Sequence, residues 1–304
     1  MAHSLYFTFR EKQLRPKKNL GQNFLMDKNI CKLIVEKSNL NPEDCVLEIG
    51  PGMGALTFQI ADAVKSVYAV EYDSNMFDLL NAYIDSEQIA NISCIHEDFL
   101  RLNLTNIYNQ VFSNYLKQNQ QPQFIAMGNL PYNISSQIII KLIKNRWLFK
   151  KAIVMLQKEM AQRIISMPNS RDYGRLSVVS QYCAAIHPLI TIPGHVFYPK
   201  VNIDSQVIMF DFFSHPPFEA KDELLFFQVI KAAFGQRRKT IKNSLFGSAL
   251  PYSKDMIESI LHQANIDIVR RAETLSVQEF VHLSNTFHQL RNASSTRNEN
   301  QNGQ

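Results

Sequence analysis

Cysteine is scarce in this chain of 304 residues: Cys31, Cys45, Cys94 and Cys183 are widely scattered, with no CxxC pair and no Cys/His cluster. That scatter excludes a disulfide scaffold and a cysteine-held metal, and reads as free thiols in a reducing compartment. Charged residues make up only 19% of the chain against 45% hydrophobic, which excludes a disordered or coiled-coil protein. With 10 Gly and 12 Pro, collagenous and low-complexity classes are excluded too. No apolar run escapes interruption by charge for the length of a membrane span. The opening Met1-Ala2-His3-Ser4-Leu5-Tyr6-Phe7 lacks the basic flank and apolar stretch of a secretory signal, so the expected location is cytoplasmic. A globular chain of about two domains is left.

The net charge of +5 is modest, but it is unevenly placed. Arg10, Lys12, Arg15, Lys17 and Lys18 face a single acid, Glu11. From Leu224 to Lys254 there is no Asp or Glu, while Lys231, Arg237, Arg238, Lys239, Lys242 and Lys254 are all basic. Either cluster alone fits a solvated surface. Together they point to a polyanion such as nucleic acid, because each neutralised phosphate releases counterions.

Up to about residue 213, short apolar runs alternate with helix-like segments. Strands are predicted at Val46–Gly50, Ser66–Glu71, Ile92–His96, Gln123–Met127, Ala152–Leu156, Leu189–Ile192 and Gln206–Phe212. Helices are predicted at Ala55–Ala63, Ser74–Asp85 and Ser135–Lys144. This alternation predicts an α/β domain with an open, mostly parallel sheet covered by helices on both faces. After Ser214-His215-Pro216-Pro217 only helical patterns follow: Leu224–Phe234, Arg238–Phe246, Lys254–Ala264 and Val277–Leu290. The expected organisation is an α/β domain over 1–213, a small all-helical domain over 214–290, and a disordered Asn/Ser/Gln-rich tail over 291–304.

Chemistry concentrates where predicted strands end. Glu48-Ile49-Gly50-Pro51-Gly52-Met53-Gly54-Ala55 is a glycine turn between strand and helix, where backbone can approach a ligand closely. Its Gly50-x-Gly52-x-x-Ala55 spacing also fits a dinucleotide fingerprint, so a nicotinamide oxidoreductase stays open at this point. Glu71 closes the second strand, where an acid can accept both hydroxyls of a ribose. Asp98, after the third, can accept from an adenine amino group. Each alone fits a solvated strand end or helix cap, but successive acids beside a glycine turn favour an adenosine-bearing cofactor.

Asn129-Leu130-Pro131-Tyr132 ends the fourth strand. An exocyclic adenine amine is a weak nucleophile because its lone pair is delocalised into the ring. Attack on an electrophilic methyl needs acceptors that orient its N–H bonds, which the Asn129 side chain and the Leu130 carbonyl can supply, with Pro131 stiffening the backbone. Tyr132 can stack on an extruded base. Alignment and electrostatics then carry the catalysis, without a strong general base.

These motifs, with others in order along the chain, make the sequence resemble the KsgA (RsmA)-type ribosomal RNA small-subunit adenine dimethyltransferases, relatives of the Erm methyltransferases. The likeness runs from Leu14 to about Leu283. It includes Lys18-Asn19-Leu20-Gly21-Gln22-Asn23-Phe24-Leu25, Met155-Leu156-Gln157-Lys158-Glu159-Met160-Ala161 and Tyr173-Gly174-Arg175-Leu176-Ser177-Val178. Gln236-Arg237-Arg238-Lys239-Thr240 and Arg271-Ala272-Glu273-Thr274-Leu275-Ser276 complete it. The resemblance implies a Rossmann-like S-adenosylmethionine-dependent methyltransferase domain with a small all-helical C-terminal domain. It implies dimethylation of the N6 amines of two adjacent adenosines near the 3′ end of 16S ribosomal RNA, in a small-subunit biogenesis role. S-adenosyl-L-methionine is expected against Asn23, Leu25, Gly50, Gly52, Glu71, Asp98 and Asn129. Phe197 is expected to face Tyr132 across the target base, although Val201 stands where relatives carry a second Pro. Arg237, Arg238, Lys239 and Lys242, read as one helix face, are expected on the RNA backbone. The expected state is a monomer without metal or membrane, with the small ribosomal subunit as partner. An Erm-like enzyme acting on large-subunit RNA and a non-catalytic ribosome-assembly factor are the alternatives.

Overall fold

A computed structural model of the protein describes residues 2–113 and 122–301. The chain divides into two compact units, one formed by residues 1–161 and 185–212, the other by 162–184 and 213–304. The helical unit therefore claims residues 162–184, which the sequence pattern assigned to the α/β domain.

Among the described residues the first unit carries nine strands: β1 (Phe24–Leu25), β2 (Cys45–Ile49), β3 (Ser66–Glu71), β4 (Ile92–His96), β5 (Phe124–Asn129), β6 (Lys151–Gln157), β7 (Ala184–Ile192), β8 (Phe197–Tyr198) and β9 (Ser205–Phe212). Seven form one sheet in the order β4-β3-β2-β5-β6-β9-β7, and β1 and β8 form a separate antiparallel pair. The strands β4, β3, β2, β5 and β6 are mutually parallel, and β9 runs antiparallel to β6. Buried on both faces, β2 and β5 are apolar apart from Glu48 and Asn129, without the alternation of a half-exposed strand.

The α-helices of this unit among the described residues are α1 (Ala2–Glu11), α2 (Lys28–Lys37), α3 (Ala55–Ala61), α4 (Ser74–Ser86), α5 (Leu104–Phe112) and α6 (Ser135–Lys144). The sequence pattern predicts α3, α4 and α6 but not α1, α2 and α5. Asp27, Asp73 and Asn103 cap α2, α4 and α5 by accepting N–H bonds from the first turn. Leu47, Val46, Ile125 and Met127 are fully buried at the sheet centre.

α7 (Lys158–Ile165) carries the boundary between the units. The second unit then has α8 (Arg175–Cys183), α9 (Glu223–Ala233), α10 (Ile241–Phe246), α11 (Lys254–Gln263) and α12 (Val277–Gln301). Tyr182 of α8 packs against Phe226 of α9 with the rings tilted at 42° and 4.3 Å between centroids, and α8 also packs on α12. That aromatic packing explains the boundary: α8 buries its apolar residues among helices. α12 continues past Arg291, where composition had suggested a disordered tail. A helix already nucleated by packing extends through Asn, Ser and Arg with little further cost, and here it reaches Gln301. Residues 302–304 of that expected tail lie outside the described residues. Among the described residues no helix is long and apolar enough to cross a membrane.

Candidate active site

Parallel pairing carries the C-terminal ends of β2, β3, β4 and β5 to one edge of the sheet. A cavity of about 300 Å³ opens there. Gly50 and Gly52 line it from the turn after β2, Glu71 from β3, Asp98 from beyond β4, and Asn129, Leu130, Pro131 and Tyr132 from β5 and its continuation. Asn23 and Leu25 complete the wall from the segment before α2. Ten residues read from the sequence as cofactor or base contacts thus share one crevice.

Backbone geometry sets the turn. Gly50 has φ +67 and Gly52 φ +54, a region L side chains rarely adopt. A Cβ on Gly50 would meet nothing within 4 Å, so that glycine keeps the space beside the turn open. A Cβ on Gly52 would strike the Phe24 ring at 2.9 Å. The Gly52 N–H donates to Glu71 Oε2 at 3.0 Å, and the Asp73 N–H to Glu71 Oε1 at 2.8 Å. Glu71 is buried. Desolvation pushes its carboxyl above the usual range, and the two backbone N–H bonds pull against that rise. Each oxygen keeps acceptor capacity for a ligand hydroxyl.

Asp98 turns its Oδ1 to the Leu100 N–H at 2.8 Å and approaches Arg101 at 3.6 Å. The following loop is pinned by Lys141 of α6, which donates to the Leu100 and Leu102 carbonyls at 2.9 and 2.6 Å. At the next strand end the Asn129 Nδ2 donates to the Asn23 carbonyl at 2.8 Å, leaving Oδ1 as that side chain's acceptor. No backbone N–H among the described residues donates to the Leu130 carbonyl. The Tyr132 hydroxyl hydrogen-bonds Ser205 Oγ at 2.9 Å, which fixes its ring at the cavity wall.

Four residues of this site escaped the sequence reading. Glu48 lines the cavity at 1% exposure, its Oε2 buried without a partner among the described residues. Desolvation pushes its carboxyl up to about 8, with the nearby Thr57 hydroxyl easing the rise. An acid inside the otherwise apolar run Val46-Leu47-Glu48-Ile49 was the available signal. Asp73, Lys17 and Gln22 form a closed group: Lys17 Nζ and Gln22 Nε2 each donate to the Asp73 carboxylate at 2.7 Å, and the Lys17 N–H donates to Gln22 Oε1 at 2.7 Å. Burial alone would raise the Asp73 carboxyl, but Lys17, Gln22 and the Asn75 N–H outweigh it and hold the group below the usual range. Nothing local marks a pair so far apart in the chain.

Other expected contacts are not brought together. Phe197 does not line the cavity: at 3% exposure it pairs with Leu25 across β8 and β1 and belongs to the core. Val201 does pack at the edge of that core, so this stretch is drawn inward. In the second unit Arg237, Arg238 and Lys239 are exposed, but on a turn rather than a helix face. Thr240 caps α10 only after them, by accepting the Asn243 N–H. Arg237 donates to the Arg171 carbonyl and approaches Glu273 at 3.5 Å. Lys242 turns to Glu258 at 2.5 Å with its side chain 18% exposed, an internal ion pair.

The parallel sheet, the glycine turn and the acids on the next strands define a Rossmann-like methyltransferase domain. Solved structures agree on the fold. A dimethyladenosine transferase from Plasmodium falciparum superposes with TM-score 0.70 at 21% identity, covering 86% of this chain and 95% of its own. The 23S rRNA methyltransferase ErmE superposes with TM-score 0.61 at 22% identity, covering 86% and 98%. The family model described as ribosomal RNA adenine dimethylase matches residues 13–289, and the chain belongs to that family. A protein named ribosomal RNA small subunit methyltransferase A from Desulforapulum autotrophicum is 44% identical over 278 residues, 91% of this chain and 94% of its own. One of the same name from a Geobacillus species is 40% identical over 274 residues, 89% and 91% of the two chains.

Proposed function

We propose that this protein dimethylates the N6 amines of two adjacent adenosines near the 3′ end of 16S ribosomal RNA in the small subunit, with S-adenosylmethionine as methyl donor. The observation that carries this is Asn129. Its amide nitrogen is taken by the Asn23 carbonyl, so its oxygen is the acceptor at a cavity that also holds Glu71 and Asp98.

The residues fit the donor. Gly50 keeps open the space a side chain would fill, and Glu71 and Asp98 offer acceptors for a ribose and an adenine amine. When bound, the cofactor supplies an electrophilic methyl on a sulfonium. Asn129 Oδ1 and the Leu130 carbonyl accept from the target amine and steer its lone pair into line. Tyr132, its hydroxyl tethered to Ser205, offers a ring for the extruded base to stack on. The methylated nitrogen becomes acidic enough to release its proton to solvent, so no buried base is required. Arg238 and Lys239 of the second unit, exposed on their turn, take RNA phosphates.

Unmethylated small subunits incubated with labelled S-adenosylmethionine are expected to yield labelled dimethyladenosine. Label on large subunits alone would replace this proposal with the Erm-like activity, and absence of label from both would leave a binding factor.

A further inference from the structure

The Lys17–Asp73 ion pair lies outside the cavity wall, yet it is joined to the site through hydrogen bonds and the peptide link between Gln22 and Asn23. Asp73 follows β3 at 3% exposure and caps α4 through the Asn75 N–H at 3.0 Å. Its carboxylate also takes the Lys17 ammonium and the Gln22 amide, one on each oxygen. Gln22 is followed by Asn23, whose carbonyl takes the Asn129 amide hydrogen. The segment is tied down again nearby, where Asn133 Nδ2 donates to the Asn19 carbonyl at 3.2 Å. Residues 17–23 therefore bridge the ends of β3 and β5. An amide side chain has two interchangeable faces, and only the acceptor face is useful toward an amine. The Asn23 carbonyl decides which face Asn129 presents.

We propose that Asp73 and Lys17 are positioning residues for methyl transfer: by anchoring residues 17–23 they hold the Asn23 carbonyl where it locks the Asn129 amide with its oxygen toward the target amine. This rests on the acceptor role assigned to Asn129 above. Loosening the anchor lets Asn23 retreat and the amide rotate. Loss falls on turnover rather than on RNA affinity, because no RNA contact is removed.

The test is steady-state methylation of small subunits by the full chain carrying Lys17→Met, Lys17→Arg, Asp73→Asn, or Lys17→Met with Asp73→Asn, alongside thermal melts. Lys17→Met is expected to lower kcat about tenfold, inside the roughly hundredfold that a 1 Å misplacement can cost, with KM for subunits unchanged. Lys17→Arg, which can still pair with Asp73, is expected to restore kcat to within about twofold. The double variant is expected to be no slower than the slower single one, as coupled residues behave. Wild-type kcat in Lys17→Met overturns the proposal, as does a rise in KM alone, which would make Lys17 an RNA contact. Additive losses, or a kcat loss that merely follows a lower melting temperature, also overturn it. Failure of the wild-type chain to methylate either subunit would instead remove the reading on which this rests.

Discussion

The two regions to which the proposed function assigns roles differ in how they hold their side chains. At the strand ends of the first unit, Glu71, Asp73 and Asn129 are wholly or partly buried and each is fixed by backbone or side-chain partners. On the turn of the second unit, Arg238 and Lys239 are exposed. On the proposed function the difference follows from what each region would bind. Orienting an amine for attack tolerates little play, so its groups must be preorganised away from water. Neutralising a phosphate needs charge within reach of a mobile partner, and exposed cations do that with little geometric demand. Lys242 marks the border between these regimes, since its charge sits in the basic segment but is consumed by Glu258.

Substitutions can break or sharpen that contrast. Asn129→Ala is expected to cut methyl transfer by about a hundredfold or more, the scale of losing one preorganised transition-state contact, while small-subunit binding measured by sedimentation stays intact. Loss of both would show that the rim also carries RNA affinity. Glu71→Ala is expected to weaken S-adenosylhomocysteine binding about tenfold by calorimetry, the scale of charge-assisted hydrogen bonds to a hydroxyl.

Glu48 probes the cost of burial at the rim. Its carboxyl sits at about 8 in the folded chain, above the ordinary value, so the neutral form is favoured on folding. The stability it contributes is full below the ordinary carboxylate range and is lost as pH rises toward about 8. Glu48→Gln is therefore expected to melt a few degrees above the parent near about pH 9, and to lose that advantage near about pH 5. A constant difference across that range would mean the carboxyl does not titrate there.

On the exposed turn, Arg238→Ala is expected to weaken subunit binding only about threefold and to reduce the salt slope by about one, with kcat unchanged. Lys242→Met is expected to leave that slope unaltered, because its ammonium is already paired with Glu258. A matching drop in slope would return Lys242 to the RNA surface.

The strand ends were legible because local signals coincide there: an apolar run stops, and a glycine or an acid follows. The range Ser66–Glu71 was read without error, as was the helix Ser135–Lys144. α8 was not legible, because Leu176-Ser177-Val178-Val179 lacks a polar face when helices surround it. Arg237–Lys239 looked helical because their residue types tolerate a helix, and only the Thr240 cap shows that the helix starts later. Phe197 bore the right motif but pairs with Leu25 as part of β8, and the pairing of β8 with β1 has no signal in either two-residue strand.

From its order of residues alone the chain determined the parallel sheet, the glycine turn, the acids beside it and the Asn-Leu-Pro-Tyr edge, since each depends on neighbours a few positions away. Tertiary structure alone decided that Asp73 anchors Lys17 and Gln22, that the Asn23 carbonyl fixes the Asn129 amide, that Glu48 Oε2 is buried without a partner among the described residues, and that Lys242 spends its charge internally. Those outcomes depend on groups from distant parts of the chain meeting at fixed distances in a low-dielectric interior, and spacing along a sequence carries no such information.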